Sequence, residues 1–174
     1  MKRGVQNALL LVHFAVFMML VGGATMETFI SFPNWFAEIP ESLMRVKGYL
    51  VARNPGQYFQ SVAPATILTG LLFVIVGWRR GAERNRVLIG VLLLIGLELV
   101  TFNMVYPKLR ILLGRGDQAN VVHSAAQLKE TAAQFLTING WRLIVMYLAA
   151  FCSGLAVFRA MRERRPDELD VSEN

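Results

Sequence analysis

The chain has little of what a soluble or disulfide-stabilised domain needs. Charged residues make up 17% of its 174 residues, whereas about 25% is usual in a globular domain. Its one cysteine, Cys152, excludes an intrachain disulfide, a CxxC redox pair and a thiolate metal cage. It also lacks the GxGxxG, P-loop, HExxH and GxSxG motifs, so no dinucleotide, phosphate-loop, standard zinc or nucleophile-elbow site has motif support. We therefore predict no cofactor and no metal ion.

Apolar residues are abundant instead, at 55% of the chain, and they cluster in four blocks. A hydrocarbon core about 30 Å thick needs roughly 20 helical residues to cross it. We predict an all-α fold, an integral membrane four-helix bundle that forms one domain over residues 1–165. Its spans cover about 8–31, 62–78, 87–106 and 141–158. The tail at 166–174, rich in Asp and Glu, is predicted to be disordered and cytoplasmic.

Turn-forming residues mark the predicted ends of these spans. Asn54-Pro55-Gly56 is expected to turn the chain, Pro107 to end the third span, and Asn139-Gly140 to break the chain before the fourth. Short helical segments are expected in both outer loops. One follows Pro40 and lies on the membrane, and the other begins with the capping-box spacing of Ser124 and Gln127.

The distribution of basic residues predicts the orientation. The net charge of +6 comes from residues that flank the apolar blocks, which indicates membrane topology rather than nucleic-acid binding. By the positive-inside rule both termini and the loop at 79–86 are cytoplasmic, so the chain is predicted to be a multi-pass protein of the cell membrane. An alternative interpretation makes the first block a cleaved signal peptide, because Gly22-Gly23-Ala24 is small enough to be cut.

Ionisable residues inside apolar spans often mark function, because they are costly to bury in lipid. This chain has His13, Glu27 and Glu98 in such positions. His13 is interpreted as bonded to a neighbouring helix, and Glu98, near mid-membrane, either as bonded to another helix or as protonated. Depth counting places Glu27 level with Arg142, either as a structural ion pair or as part of a site.

Other polar and aromatic residues collect at the same predicted depth. They are Asn34, Trp35, Asn103, Tyr106, Asn139 and Trp141. His123 is predicted to lie over this mouth from the second outer loop. Interfacial aromatic residues also form belts in any membrane protein. Their coincidence with Glu27 and Arg142 predicts an outer-leaflet amphiphilic pocket whose partners are an apolar or aromatic small molecule or a membrane lipid.

Several of these residues resemble a known family. The Gly-rich first span leading into Pro33, the six-residue spacing of Thr101 and Pro107, and the Asn139-x-x-Arg142 pattern that opens the fourth span resemble the anthrone-oxygenase-like family of small membrane proteins. That family also favours Asn two residues either side of the proline, where this chain has Val105 and Leu109. Fungal members oxidise anthrones to anthraquinones without a recognised cofactor.

The resemblance implies an oxygenase that acts on hydroxylated aromatic molecules. An acidic C–H beside an aromatic ketone needs only a base to give a carbanion that O₂ can attack. Glu27 or His123 is the candidate base, and Arg142 with Asn103 would hold the oxyanion. The competing hypothesis is a non-enzymatic binding or scaffold protein whose mouth holds a lipid or a protein partner. A small transporter has less support, because the sequence shows no inverted repeat.

Overall fold

The structure is a computed structural model that describes residues 3–52 and 54–162. Within these residues it is helical with no β-strand, which confirms the predicted all-α class. The predicted acidic tail at 166–174 lies outside the described residues.

The helices run in the order α1 to α7 along the chain. They are α1 Arg3–Met26, α2 Phe32–Trp35, α3 Glu41–Tyr49, α4 Pro55–Val76, α5 Gly81–Val100, α6 Tyr106–Leu113 and α7 Ala125–Arg162. A π-helical turn at Glu27–Ser31 joins α1 to α2, and a second at Thr101–Val105 joins α5 to α6. Four helical stretches are long and apolar enough to cross a membrane: Arg3–Trp35, Pro55–Val76, Gly81–Gln118 and Ala125–Arg162. The protein is therefore an integral membrane helical bundle.

The two ends of the bundle differ in composition. One end, here called the arginine end, contains the start of α1, the end of α7 and the connection between α4 and α5, with Arg79, Arg80, Arg84, Arg86, Arg159 and Arg162. The other end, here called the cavity end, contains α2, α3, α6 and the first half of α7. At about 1.5 Å per residue the 38 residues of α7 extend about 57 Å. Because the hydrocarbon core is only about 30 Å thick, α7 is longer than a perpendicular crossing requires.

The second membrane helix, α4, begins earlier than predicted, because it starts at Asn54-Pro55-Gly56. Asn54 is the N-cap residue of α4, and its backbone N–H donates to Gln57 Oε1 at 3.4 Å. Pro55 takes the first helical position, where a missing N–H costs little. Pro64 consequently lies inside α4.

Two other predicted helix ends were wrong. Pro107 does not end the third helix, since it lies in the first turn of α6 and the helix continues to Leu113. Asn139 and Gly140 lie inside α7, where the Asn139 side chain is buried and bonded to other side chains instead of forming a turn. The predicted capping box is confirmed: the Ser124 N–H donates to Gln127 Oε1 at 3.0 Å, and the Gln127 N–H donates to Ser124 Oγ at 3.2 Å.

The core has a membrane part and a part at the cavity end. The membrane part is tightly packed between α5 and α7, where the backbone of Gly90 lies against Ala149 and Ser153. The sequence signals this approach through two small residues four apart in α7. At the cavity end, Leu43 of the predicted helix α3 packs with Phe32 and Phe135. Tyr49 and Val51, at and just beyond the end of α3, are over 80% exposed.

Candidate functional site

A cavity of about 560 Å³ opens at the cavity end of the bundle. This volume lies in the range of small-molecule sites, roughly 300 to 1,000 Å³. Its walls come from both π-helical turns, the start of α4, α6 and the middle of α7. The lining includes Glu27, Thr28, Trp35, Phe59, Thr101, Phe102, Tyr106, Arg110, Arg115, Phe135, Asn139 and Arg142.

The two π-helical turns shape opposite parts of the cavity wall. In each turn an N–H donates to the carbonyl five residues earlier, from Phe32 to Glu27 and from Tyr106 to Thr101. A proline follows each turn directly after that aromatic residue. Proline in a helix removes a donor and clashes with the carbonyl four residues back, and that carbonyl falls inside the widened turn. π-Helical turns recur at functional sites in proteins.

Glu27 and Arg142 face the cavity together. Arg142 and Glu27 attract each other electrostatically. Among the ion pairs formed by residues 3–52 and 54–162, however, none joins these two side chains within 4.0 Å. Glu27 and Arg142 thus line the same cavity, as their predicted depth suggested. The direct ion pair, which was one of the two interpretations of the sequence, is absent from this part of the structure. Both side chains remain free to interact with a bound molecule.

A chain of hydrogen bonds fixes the orientation of Arg142. Its Nη1 donates to Asn139 Oδ1 at 2.9 Å, and Asn139 Nδ2 donates to Thr28 Oγ1 at 2.8 Å. The Thr28 hydroxyl in turn donates to the Ala24 carbonyl at 2.7 Å. Arg142 Nε is enclosed without a partner in the described part of the chain. Arg142 thus has hydrogen-bonding capacity left over, because a guanidinium carries five N–H donors.

Aromatic rings supply much of the remaining wall. Trp35 and Phe135 contact Phe32 edge to face, with ring centroids 5.4 and 4.8 Å apart. On the other side Tyr106 packs against Phe102 at 5.3 Å. Edge-to-face pairs of this kind hold rings in fixed positions. The cavity therefore combines a carboxylate, a guanidinium and rigid aromatic surfaces.

Four residues predicted for the site do not line the cavity. Asn34 and Asn103 are exposed, and each donates its side-chain amide to the carbonyl four residues earlier, of Ile30 and Leu99 respectively, at 2.7 Å. Both side-chain amides are therefore committed to their own helices and do not enter the cavity. Trp141 is 66% exposed on the outer surface of α7.

His123 also lies away from the cavity lining. Its Nε2 is 3.1 Å from Gln118 Oε1, in the loop before α7. The structure therefore separates His123 from Glu27, the other base suggested by the sequence.

The remaining buried polar residues lie deeper in the bundle. His13 is completely buried, with Nδ1 3.2 Å from the Thr66 carbonyl and Nε2 3.2 Å from Ser153 Oγ. Because a carbonyl can only accept, Nδ1 carries the proton and Nε2 accepts from the serine. His13 thus ties together α1, α4 and α7. Glu98 is half-buried and is attracted to Arg142, but it does not line the cavity.

Two arginines that line the cavity were not predicted from the sequence. Arg110 and Arg115 line its outer part, although in the sequence they are indistinguishable from other basic residues of a polar loop. Gly114 and Gly116 have φ angles of 54° and 62°, a left-handed conformation that glycine adopts most readily. The two glycines beside Arg115 are the available signal, because they predict a tight reversal of the chain at that arginine.

No group of three or more His, Cys, Asp or Glu side chains in the described residues could hold a metal ion. No family model, curated protein or solved structure matches this chain.

Proposed function

We propose that this integral membrane protein binds a hydroxylated aromatic or quinone-like molecule in the cavity and oxidises it with O₂. The observation that carries the proposal is that Glu27 and Arg142 line one aromatic cavity without neutralising each other in a direct ion pair. The resemblance of Thr101-to-Pro107 and Asn139-x-x-Arg142 to the anthrone-oxygenase-like pattern supports the same chemistry. In the proposed orientation the cavity opens on the outer face of the cell membrane.

Each polar residue has a defined role in this reaction. The Glu27 carboxylate removes a proton from a CH₂ group next to an aromatic ketone, and Arg142 stabilises the oxyanion of the resulting enolate. Asn139 acts as a positioning residue, because it holds Arg142 and is itself held by Thr28. Asn103, suggested by the sequence for the oxyanion, is not part of this arrangement, because its amide is bonded to its own helix.

The overall reaction balances without a further reductant. The carbanion adds O₂ and a proton to give a hydroperoxide at the former CH₂ carbon. Loss of water then leaves a carbonyl group, so that one CH₂ and one O₂ give one C=O and one H₂O. Deprotonation by Glu27 begins the sequence, and the same carboxyl can return its proton to the peroxide.

The test compares two carboxylates of the same bundle. Glu27→Gln removes the proposed base and keeps the size of the side chain. Glu98→Gln is the matched control, because Glu98 is also half-buried and attracted to Arg142 but lies outside the cavity lining. General-base catalysis contributes about 10²- to 10⁴-fold. We expect oxygen uptake on anthrone-type substrates to fall at least about 100-fold in Glu27→Gln and to change little in Glu98→Gln.

The outcomes separate the two functional hypotheses. Equal turnover in Glu27→Gln and the wild type would refute Glu27 as the base. Ligand binding without oxygen uptake by well-folded wild-type protein would refute the oxygenase and favour the non-enzymatic binding protein.

A further inference from the structure

The cavity is cationic as well as aromatic. Among the described residues its lining contains three arginines, Arg110, Arg115 and Arg142, and one carboxylate, Glu27. Arg142 lies in the inner part, where it is attracted to Glu98 and to Glu27. Arg110 and Arg115 lie in the outer part, so the charge of the mouth is not matched by acidic residues of the wall.

The end of α6 and the loop after it hold these two arginines at the mouth. Gly114 and Gly116 reverse the chain on either side of Arg115, whose N–H donates to the Arg110 carbonyl at 3.0 Å. Lys47 of α3 adds a further cation, because a Cβ atom on Gly114 would lie 3.0 Å from its Nζ. One acidic side chain opposes them here: Asp117 Oδ1 is 3.8 Å from Arg110 Nη1, in an exposed pair.

We infer that the ligand of this cavity carries an oxyanion, a carboxylate or a phosphate, which Arg110 and Arg115 bind at the mouth while its ring or apolar body fills the space toward Arg142. This inference rests on the proposed ligand site and adds a charge requirement to it. Arg110 lies four residues beyond Tyr106 on α6, roughly 6 Å along the helix axis. A single molecule of aromatic size spans that separation. Arginine suits the task because its planar fork of donors matches oxyanion geometry.

A matched pair of small molecules tests the charge requirement. The probes are 1-hydroxy-2-naphthoate and 1-naphthol, which differ by one carboxylate. Binding is measured by equilibrium dialysis against the full chain in phosphatidylcholine nanodiscs, with empty nanodiscs subtracted. We expect the wild type to bind the naphthoate several-fold more tightly than the naphthol. Exposed ion pairs contribute about two- to fivefold each, so Arg110→Gln and Arg115→Gln together should remove this preference.

The control variant is Arg45→Gln. Arg45 is exposed, pairs with Glu38 at 2.7 Å and lies outside the cavity lining. The substitution therefore removes one positive charge from the cavity end without changing the cavity lining. The naphthoate preference should survive in Arg45→Gln. Added salt should weaken the preference in the wild type and leave naphthol binding unchanged.

The outcomes distinguish this inference from the proposed function. Equal binding of both probes by the wild type, or a preference that persists in the double variant, would overturn the oxyanion inference and leave the aromatic site standing. Failure of both probes to bind would overturn both proposals.

A second comparison identifies the source of the oxyanion. If phosphatidylglycerol in place of phosphatidylcholine displaces neutral naphthol from the wild type but not from the double variant, the anion is a lipid phosphate. If phosphatidylglycerol displaces no naphthol from the wild type, the anion belongs to a small molecule such as the naphthoate.

Discussion

A close contact between α5 and α7 gives the sharpest stability prediction. A Cβ atom placed on Gly90 of α5 would lie 2.8 Å from the Ala149 carbonyl oxygen and 2.9 Å from Ser153 Oγ of α7. The carbonyl belongs to the backbone of a long helix, so it cannot move unless the helix moves. The Ser153 hydroxyl is also committed, because it lies 3.2 Å from His13 Nε2. We therefore predict that Gly90→Ala forces α5 and α7 apart.

Three glycine-to-alanine variants provide a graded series. Overpacking of a well-packed core costs about 1 to 3 kcal/mol, and Gly90→Ala should fall in that range. Gly154→Ala should cost less, because its nearest neighbour is the Phe14 ring at 3.3 Å, which can rotate. Gly96→Ala meets nothing within 4 Å and should stay within about 0.5 kcal/mol of the wild type. All three positions lie inside helices, so the change in backbone freedom is similar.

The measurement is the free energy of unfolding by SDS titration in mixed micelles, followed by far-UV circular dichroism. The predicted order of stability is Gly96→Ala, then Gly154→Ala, then Gly90→Ala. If Gly90→Ala were as stable as Gly96→Ala, the packing of α5 on α7 described here would be wrong.

Two further predictions concern the orientation and the arginine end. In a Cys152→Ala background, an impermeant maleimide should modify Gly48→Cys but not Gly81→Cys in intact cells, because the positive-inside rule places 79–86 in the cytoplasm. Both positions leave room for a side chain. The opposite labelling would show that the topology is inverted. The Glu83 side chain is 5% exposed, and its carboxylate lies 3.5 Å from the Arg80 guanidinium and 3.7 Å from that of Arg159. In the same SDS titration Glu83→Gln should destabilise the fold by about 3 kcal/mol, the low end of the cost of breaking a buried ion pair. Glu38→Gln, which breaks an exposed pair, should cost less than about 1 kcal/mol, and equal losses would show that burial of Glu83 contributes nothing.

The fold was predictable where hydrophobic length decides it. Four apolar blocks predicted four long helices, and depth counting brought Glu27 and Arg142 to one cavity. The same reasoning could not find where the helices end outside the lipid. The first half of α7 has one polar and one apolar face. Its contacts with α2, α3 and α6 explain why it continues as a helix through Asn139-Gly140, and these contacts cannot be read from the sequence. Hydropathy reports contact with lipid and not helix length.

The composition of the site was less predictable, because it depends on the two π-helical turns. A period of 3.6 residues carried through residues 101–105 places side chains on the wrong face beyond Thr101. Asn34 and Asn103 were expected in the site from their depth, whereas they bond to carbonyls of their own helices. Pro33 and Pro107 are the local signals, since distortions of a helix often occur at proline, although Pro64 lies within the regular helix α4.

The π-helical turns also make the cavity wall sensitive to chain length. A turn of this kind contains one residue more than the α-helical turn it replaces, and each helical residue adds about 100° of rotation and 1.5 Å of rise. Deleting one residue from 101–105 would restore a regular α-helical turn. Because the shorter turn also completes about 360°, Tyr106 and Arg110 would keep nearly their present rotation, while the wall formed by Thr101, Phe102 and Val105 would lose a residue. Proteins that share this bundle but differ by one residue at either π turn would then present different turn residues to their ligands and keep the rest of the cavity wall in place.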